Sequence, residues 1–236
     1  MKRTGLIGGL SWHSTAEYYR VINEETQRRL GGHASAEIAL RSVDFATIRD
    51  HQLQEDWAAA GRTLAAAGRE CEAAGADVVL ICSNLMDKVA DDVAASLSVP
   101  LLHIGDAVAA EAVARGLTDV GLLGTRWVME EPFYRERLAA AGVRCRTPGA
   151  ADRAMVDRVI FDELTHGTFT PGSAAAFARV IDDLAEAGAQ AVVLACTEIG
   201  LLVPPESSPV PLLDSMELHA RAAVDLALDA TAAAPH

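Results

Sequence analysis

Lysine is nearly missing from this chain: of its 20 basic residues only Lys2 and Lys88 are lysines. Schiff-base chemistry, as with pyridoxal phosphate, therefore has almost no residue to use. A basic surface is missing as well. The net charge is −13 and the isoelectric point about 4.9, which argues against a nucleic-acid partner, since binding one needs a cationic face. Acidity of this kind reports solubility rather than the charge of a substrate. The four cysteines, Cys71, Cys82, Cys145 and Cys196, form no Cys-x-x-Cys pair and have no histidines at ligand spacing, so no metal site is expected. Gly5, Gly8 and Gly9 do not complete a dinucleotide-binding glycine pattern, and there is no Walker-type loop. No apolar run reaches membrane-spanning length. Met1-Lys2-Arg3 leads into a short strand rather than the apolar core of a signal peptide. The expectation is a cytoplasmic protein with reduced thiols, acting without membrane, nucleic acid or cofactor.

What is present is a repeat, the first thing to look for in any sequence. The chain has 236 residues, half of them apolar, enough for one large or two small domains with a real core. Arg3-Thr4-Gly5-Leu6-Ile7-Gly8-Gly9 is echoed by Asp119-Val120-Gly121-Leu122-Leu123-Gly124-Thr125. The run Gly75 to Asn84 is echoed by Gly188 to Glu198, an echo that sets Cys82 against Cys196. Val99-Pro100-Leu101-Leu102-His103 answers Val210-Pro211-Leu212-Leu213-Asp214. Two such units are expected to face each other across a pseudo-two-fold axis. Each cysteine would then end a buried strand and enter a shared cleft from its own side. That is a geometry for moving a proton from one face of a small molecule to the other.

The periodicity supports an α/β chain. Strands are expected at 4–8, 36–45, 78–82, 120–123, 143–146 and 191–195. Helices are expected from the Ser14-Thr15-Ala16-Glu17 capping box to the Gly31-Gly32 stop, and over 57–74, 131–141, 151–164, 173–187 and 215–228. Ser83 or Asn84 can cap a further helix that ends before Pro100, and a polar tail follows the last helix. Alternating strands and helices with short loops imply parallel sheets flanked by helices, with ligands at the carboxyl ends of the strands.

Those ends carry the chemistry. Cys196 follows the apolar run Ala191–Ala195 and precedes Thr197 and Glu198. Backbone N–H groups and a helix dipole there are expected to raise its thiolate fraction. In the first half, Cys82 and Ser83 cannot both face a cleft while the strand stays regular, because successive side chains alternate. Gly8-Gly9-Leu10-Ser11 offers an anion cradle of small residues and bare N–H groups. Cys71 and Cys145 read as structural, and His103 as a satisfied interior histidine.

Ile7-Gly8-Gly9-Leu10-Ser11-Trp12-His13-Ser14-Thr15-Ala16-Glu17-Tyr18-Tyr19 resembles the opening of aspartate/glutamate racemases. So do Ser42-Val43-Asp44-Phe45, Leu122-Leu123-Gly124-Thr125-Arg126, Phe133-Tyr134-Arg135 and Cys196-Thr197-Glu198-Ile199-Gly200-Leu201-Leu202. The resemblance covers essentially the whole chain. It implies a cofactor-independent enzyme of two similar lobes, usually a homodimer, whose last helix packs back on the first lobe; the lobes are expected at 1–100 with 212–236, and 101–211. A thiolate would remove the α-proton of an amino acid, and an opposed acid would return it. Three departures stand out. Where the family commonly has Asn-Thr-Met-His, this chain has Asn84-Leu85-Met86-Asp87, so a carboxylate-binding threonine becomes Leu85 and a histidine becomes Asp87. Where two-thiol members have a cysteine before the asparagine, this chain has Ser83. It resembles the subset that relies on the second-half cysteine.

The leading expectation is racemisation or epimerisation of an amino acid, aspartate or glutamate by default. Cys196 is the main acid/base, with Ser83 or Cys82 opposed. Gly9, Leu10, Ser11, Asn84, Leu85, Asp87, Thr125, Thr197 and Glu198 are the candidate substrate contacts. A single-thiol decarboxylase, a cis–trans isomerase of a small diacid, and a ligand-binding protein with a decayed site are the alternatives. If Asp87 faces the substrate it repels an acidic side chain; otherwise it points away.

Overall fold

The computed structural model describes residues 1–229; the expected polar tail lies outside the described residues. The chain divides into two compact units, Met1–Ile104 with the chain from His219 onward, and Gly105–Leu218.

The first unit runs β1 (Thr4–Gly8), α1 (Trp12–Leu30), β2 (Ile38–Ser42), α2 (Phe45–Leu53), α3 (Trp57–Ala73), β3 (Val78–Ile81), a 3-10 turn (Met86–Val89), α4 (Ala90–Ala94) and β4 (Leu101–Leu102). Its sheet is parallel, in the order β2-β1-β3-β4. The second unit contains most of α5 (Ile104–Ala114), then β5 (Asp119–Gly124), α6 (Arg126–Glu130), α7 (Pro132–Ala140), β6 (Arg144–Arg146), α8 (Ala150–Asp162), α9 (Pro171–Glu186), β7 (Ala191–Ala195), α10 (Ile199–Leu202), β8 (Leu212–Asp214) and the start of α11 (Ser215–Asp229). Its sheet repeats the order as β6-β5-β7-β8, again parallel. The α/β repeat expected from the sequence is thus present as two four-stranded parallel sheets flanked by helices. Among the described residues no helix is long and apolar enough to cross a membrane.

The sequence explains the elements. β1, β3, β5 and β7 are buried along their whole length, as continuous apolar runs at the centre of a covered parallel sheet must be. In the second unit Phe177, Val180, Ile181 and Leu184 of α9 pack with Val192 and Leu194 of β7 in one core cluster.

Three expectations are corrected. α1 starts at Trp12, so Ser14 lies within the helix and caps nothing at its start. Thr15 Oγ1 instead accepts the Gly9 N–H at 2.8 Å and donates to the Ser11 carbonyl at 3.1 Å. The second strand stops at Ser42, because Asp44 accepts the Ala46 N–H and starts α2, a helix the periodicity did not reveal. The helix expected after Ser83 is a 3-10 turn followed by the five residues of α4.

A fourth correction concerns the repeat. Ile7 pairs with Ile81, and Leu123 pairs with Leu194. Ile7 and Leu123 are the same position of the two repeats, so Ile81 corresponds to Leu194. Cys82 then corresponds to Ala195, and Ser83 to Cys196. The backbone agrees: Asp77 N donates to the Arg3 carbonyl and Gln190 N to the Asp119 carbonyl, each at 2.8 Å. The cysteine-on-cysteine alignment was one residue out of register, and one residue reverses the face to which a strand side chain points.

Candidate active site

In both sheets the chain leaves the first strand toward one edge and returns on the other side. The crevice outside the carboxyl ends of those two central strands is where ligands bind in open parallel sheets. In the first unit it lies at the ends of β1 and β3, tied by Cys82 N donating to the Ile7 carbonyl at 3.0 Å. The loop Gly9-Leu10-Ser11 and the turn Ser83–Asp87 meet there. In the second unit it lies at the ends of β5 and β7, where Thr125 and Cys196-Thr197-Glu198 emerge.

Gly9 takes φ +81°, and a Cβ on it would sit 2.1 Å from the Val43 carbonyl oxygen, so only glycine fits. Its N–H is occupied by Thr15 Oγ1, which removes one donor from the expected anion cradle. Ser11 is held at φ 119°, a conformation non-glycine residues rarely adopt. It is the residue preceding α1, yet its hydroxyl caps nothing. Ser11 is 7% exposed, and its Oγ has no hydrogen-bond partner among the described residues. Thr125 repeats this arrangement. It precedes α6 without capping it, and Asp157 Oδ1 accepts the first helical N–H, that of Arg126, at 2.7 Å. Thr125 is buried and its Oγ1 is likewise without a partner among the described residues. Each unit therefore keeps one buried hydroxyl at the end of its first strand that its own helix does not use. A group with that desolvation penalty calls for a ligand or water to bond it.

At the end of β3, Cys82 is completely buried, and burial pushes its thiol strongly up. Ser83 is half-buried, with Oγ placed to accept the Met86 N–H at 3.4 Å. Asn84 and Leu85 are buried. Asp87 is also buried, with Oδ2 accepting the Ile104 N–H at 2.7 Å and lying 3.1 Å from His103 Nδ1. Its charge thus serves the start of α5 and the buried histidine.

At the end of β7, Cys196 and Thr197 are half-buried and Glu198 is 3% exposed. Cys196 Sγ donates to Glu198 Oε2 at 3.3 Å, and Thr197 Oγ1 donates to the same oxygen at 2.6 Å. The expected lowering of the thiol does not occur. Desolvation first, then the Glu198 charge, holds Cys196 well above the ordinary thiol range. The reason is structural: α10 has only four residues, too short a dipole to outweigh a carboxylate in contact.

The sequence reading missed Arg49 and Gln52 on α2. Gln52 is 2% exposed. Its Nε2 lies 3.2 Å from Met86 Sδ, and its Oε1 accepts from Arg49 Nη1 at 3.2 Å. This ties a guanidinium to the turn that carries Ser83. The one available signal was Asp44 before Phe45, a helix-capping residue that would have revealed α2.

Comparisons with known proteins show the family and the fold. The Asp/Glu/Hydantoin racemase family matches residues 7–223. The crystal structure of a Yersinia pestis protein, provisionally assigned as an Asp/Glu racemase, matches with TM-score 0.91 at 46% identity, covering 97% of this chain and 100% of that one. An aspartate racemase homologue from Pyrococcus horikoshii OT3 matches with TM-score 0.84 at 31% identity, covering 96% and 99%. An aspartate racemase from Picrophilus torridus shares the fold with TM-score 0.78 at 18% identity, covering 96% and 94%. From the glycine-hinged end of β1 to the Cys196-Thr197-Glu198 end of β7, this chain belongs to the Asp/Glu/hydantoin racemase family.

Proposed function

We propose that the protein is an amino-acid racemase or epimerase that works by 1,1-proton transfer at the α-carbon, without a cofactor. The observation that carries this reading is the equivalence of Ser83 and Cys196. Two proton-bearing side chains occupy the same place, two residues beyond Ile81 and Leu194, in sheets of the same topology. Cys196 Sγ, once ionised, takes the α-proton and leaves a carbanion. The proton that completes inversion comes from an oxygen donor, and Ser83 is the residue assigned to give it. The Oγ atoms of Ser11 and Thr125 are assigned as donors for the substrate carboxylate, and Asn84 and Thr197 as further substrate contacts.

The two groups differ in acidity. A serine hydroxyl is a far weaker acid than a thiol, so Ser83 is a poor base and Cys196 a good one. Cys196 is therefore the better base of the two; with an equilibrium constant of one kcat/KM stays equal for the two enantiomers, and the asymmetry shows in kcat and in the rate of α-proton exchange. An acidic substrate is retained as the default. The Asp87 charge is engaged by His103 and Ile104 N, and Arg49 stands on the Ser83 side as a cation for a second carboxylate.

The test is proton NMR in D₂O with single L- and D-amino acids, following loss of the α-proton signal. Exchange that vanishes in Cys196→Ala supports the reading, and the amino-acid panel names the side chain. Absence of exchange with every amino acid sinks it.

A further inference from the structure

Tyr18 and His219 are completely buried, and a hydrogen bond of 2.8 Å joins the Tyr18 hydroxyl to His219 Nδ1. The other ring nitrogen, Nε2, lies 2.9 Å from the Leu102 carbonyl oxygen. A carbonyl only accepts, so Nε2 carries the proton and, in the neutral ring, Nδ1 accepts the Tyr18 O–H. All three residues belong to the first unit. The chain leaves that unit after Ile104 and re-enters it at His219. The ring therefore ties the first residue of the return to β4, just before the departure. Each end of the tie leads to a piece of the candidate site. Tyr18 is on α1, the helix that starts directly after Ser11. Leu102 is followed by His103, whose Nδ1 lies 3.1 Å from Oδ2 of Asp87, in the turn that follows Ser83. An apolar pair would fill the space without the desolvation cost of buried polar groups. What the two hydrogen bonds add is direction, fixing the last residue of β4 against α1 in one arrangement.

We propose that His219 is a positioning residue: through Tyr18 and the Leu102 carbonyl it sets the turn that carries Ser83 against the loop that carries Ser11. Being fully buried, it acts on substrate only through the elements it holds. The inference rests on the racemase reading, in which Ser83 gives the proton that completes inversion and Ser11 binds the carboxylate. It goes beyond that reading by assigning the alignment of these two groups to a side chain that enters the unit from the far end of the chain.

The experiment follows α-proton exchange and inversion together in D₂O, on the full chain, with the enantiomer that Cys196 deprotonates. Deuterium returned by Cys196 exchanges the substrate without inverting it, whereas inversion needs Ser83. Misplacing Ser83 should slow inversion by about 10–10²-fold and slow exchange much less, since Cys196 belongs to the other unit. His219→Leu is expected to raise the ratio of exchange to inversion about tenfold or more. His219→Gln, which keeps an N–H for the Leu102 carbonyl, should recover part of the loss, and Tyr18→Phe, which deletes one oxygen, should raise the ratio by a smaller factor. A purely structural role lowers the melting temperature and leaves the ratio where it was, so an unchanged ratio overturns the proposal. Should His219→Leu fail to fold, the other two variants decide. Amide hydrogen exchange separates this idea from the racemase reading. Tyr18→Phe and His219→Gln should speed it at 11–15 and 83–89 and leave 197–202 unaltered. That pattern in a protein that exchanges no substrate proton removes the racemase and keeps the tie; unaltered amide exchange at 83–89 overturns the tie.

Discussion

Asp87 Oδ2 lies 3.1 Å from His103 Nδ1 and accepts the Ile104 N–H at 2.7 Å. One buried carboxylate thus joins the turn after Ser83 to the end of β4 and the start of α5. Asp87→Asn is expected to lose about 1–3 kcal/mol of stability, the usual effect of weakening a buried charged hydrogen bond. The preference for acidic over neutral amino acids should stay within about twofold, since Asp87 is committed elsewhere. Urea denaturation and the two kcat/KM values check this. A changed preference at unchanged stability would put Asp87 on the substrate instead.

Cys82 and Ser83 are adjacent but predicted to behave in opposite ways. Cys82→Ala removes a fully buried sulfur from behind the sheet and should reduce stability by about 1–2 kcal/mol, a small core deletion, with turnover preserved. Ser83→Ala should leave stability nearly unchanged and slow racemisation by about 10²–10⁴-fold, the usual worth of a positioned proton donor. Paired thermal melts and turnover assays decide between them. Activity lost with Cys82 and kept without Ser83 would reverse the assignment.

Gly9→Ala tests the hinge at the end of β1. The added Cβ meets the Val43 carbonyl oxygen at 2.1 Å at a φ of +81°, and neither backbone can yield cheaply. The loss should exceed about 3 kcal/mol, clash and strain acting together. Gly31→Ala, with positive φ but nothing within 4 Å of the added carbon, should cost about 1 kcal/mol. Comparing the two by denaturation isolates the steric part.

Asp119 anchors the edge of the second sheet. Arg146, and then Arg144, hydrogen-bond its carboxylate and hold its pKa below the usual value. A folded-state pKa below the unfolded one means stabilisation that is complete above about pH 4 and lost as pH falls through the folded value. Asp119→Asn should therefore be less stable at pH 7 by about 1 kcal/mol, and the difference should close in acid. A gap that persists unchanged to pH 2 would assign the effect to packing.

Much of this protein was legible in its residues. The buried strands, from Thr4–Gly8 to Ala191–Ala195, are apolar runs bounded by glycine and polar residues, and local composition is enough to mark them. The motifs at Gly8–Tyr19 and Cys196–Leu202 carry the family resemblance in residue type alone. What stayed hidden was set by partners distant in the chain. Thr15 was read as part of a helix cap, yet it satisfies Gly9. Asp87 either faces substrate or turns away on sequence alone, and only the structure shows its Oδ2 beside Ile104 N and His103 Nδ1. Burial, and then the Glu198 carboxylate, pushes the Cys196 thiol up where activation was expected.

The register of the repeat shows the division most clearly. Sequence established that two α/β units recur and that residues with proton-bearing side chains follow β3 and β7. It left the pairing of Cys82 or Ser83 with Cys196 open, because similarity between short apolar runs tolerates a slip of one residue. Backbone hydrogen bonds do not tolerate it. Pairing Ile81 with Ile7 and Leu194 with Leu123 puts Ser83 where Cys196 stands, and the two-residue period of a strand sends Cys82 to the buried face.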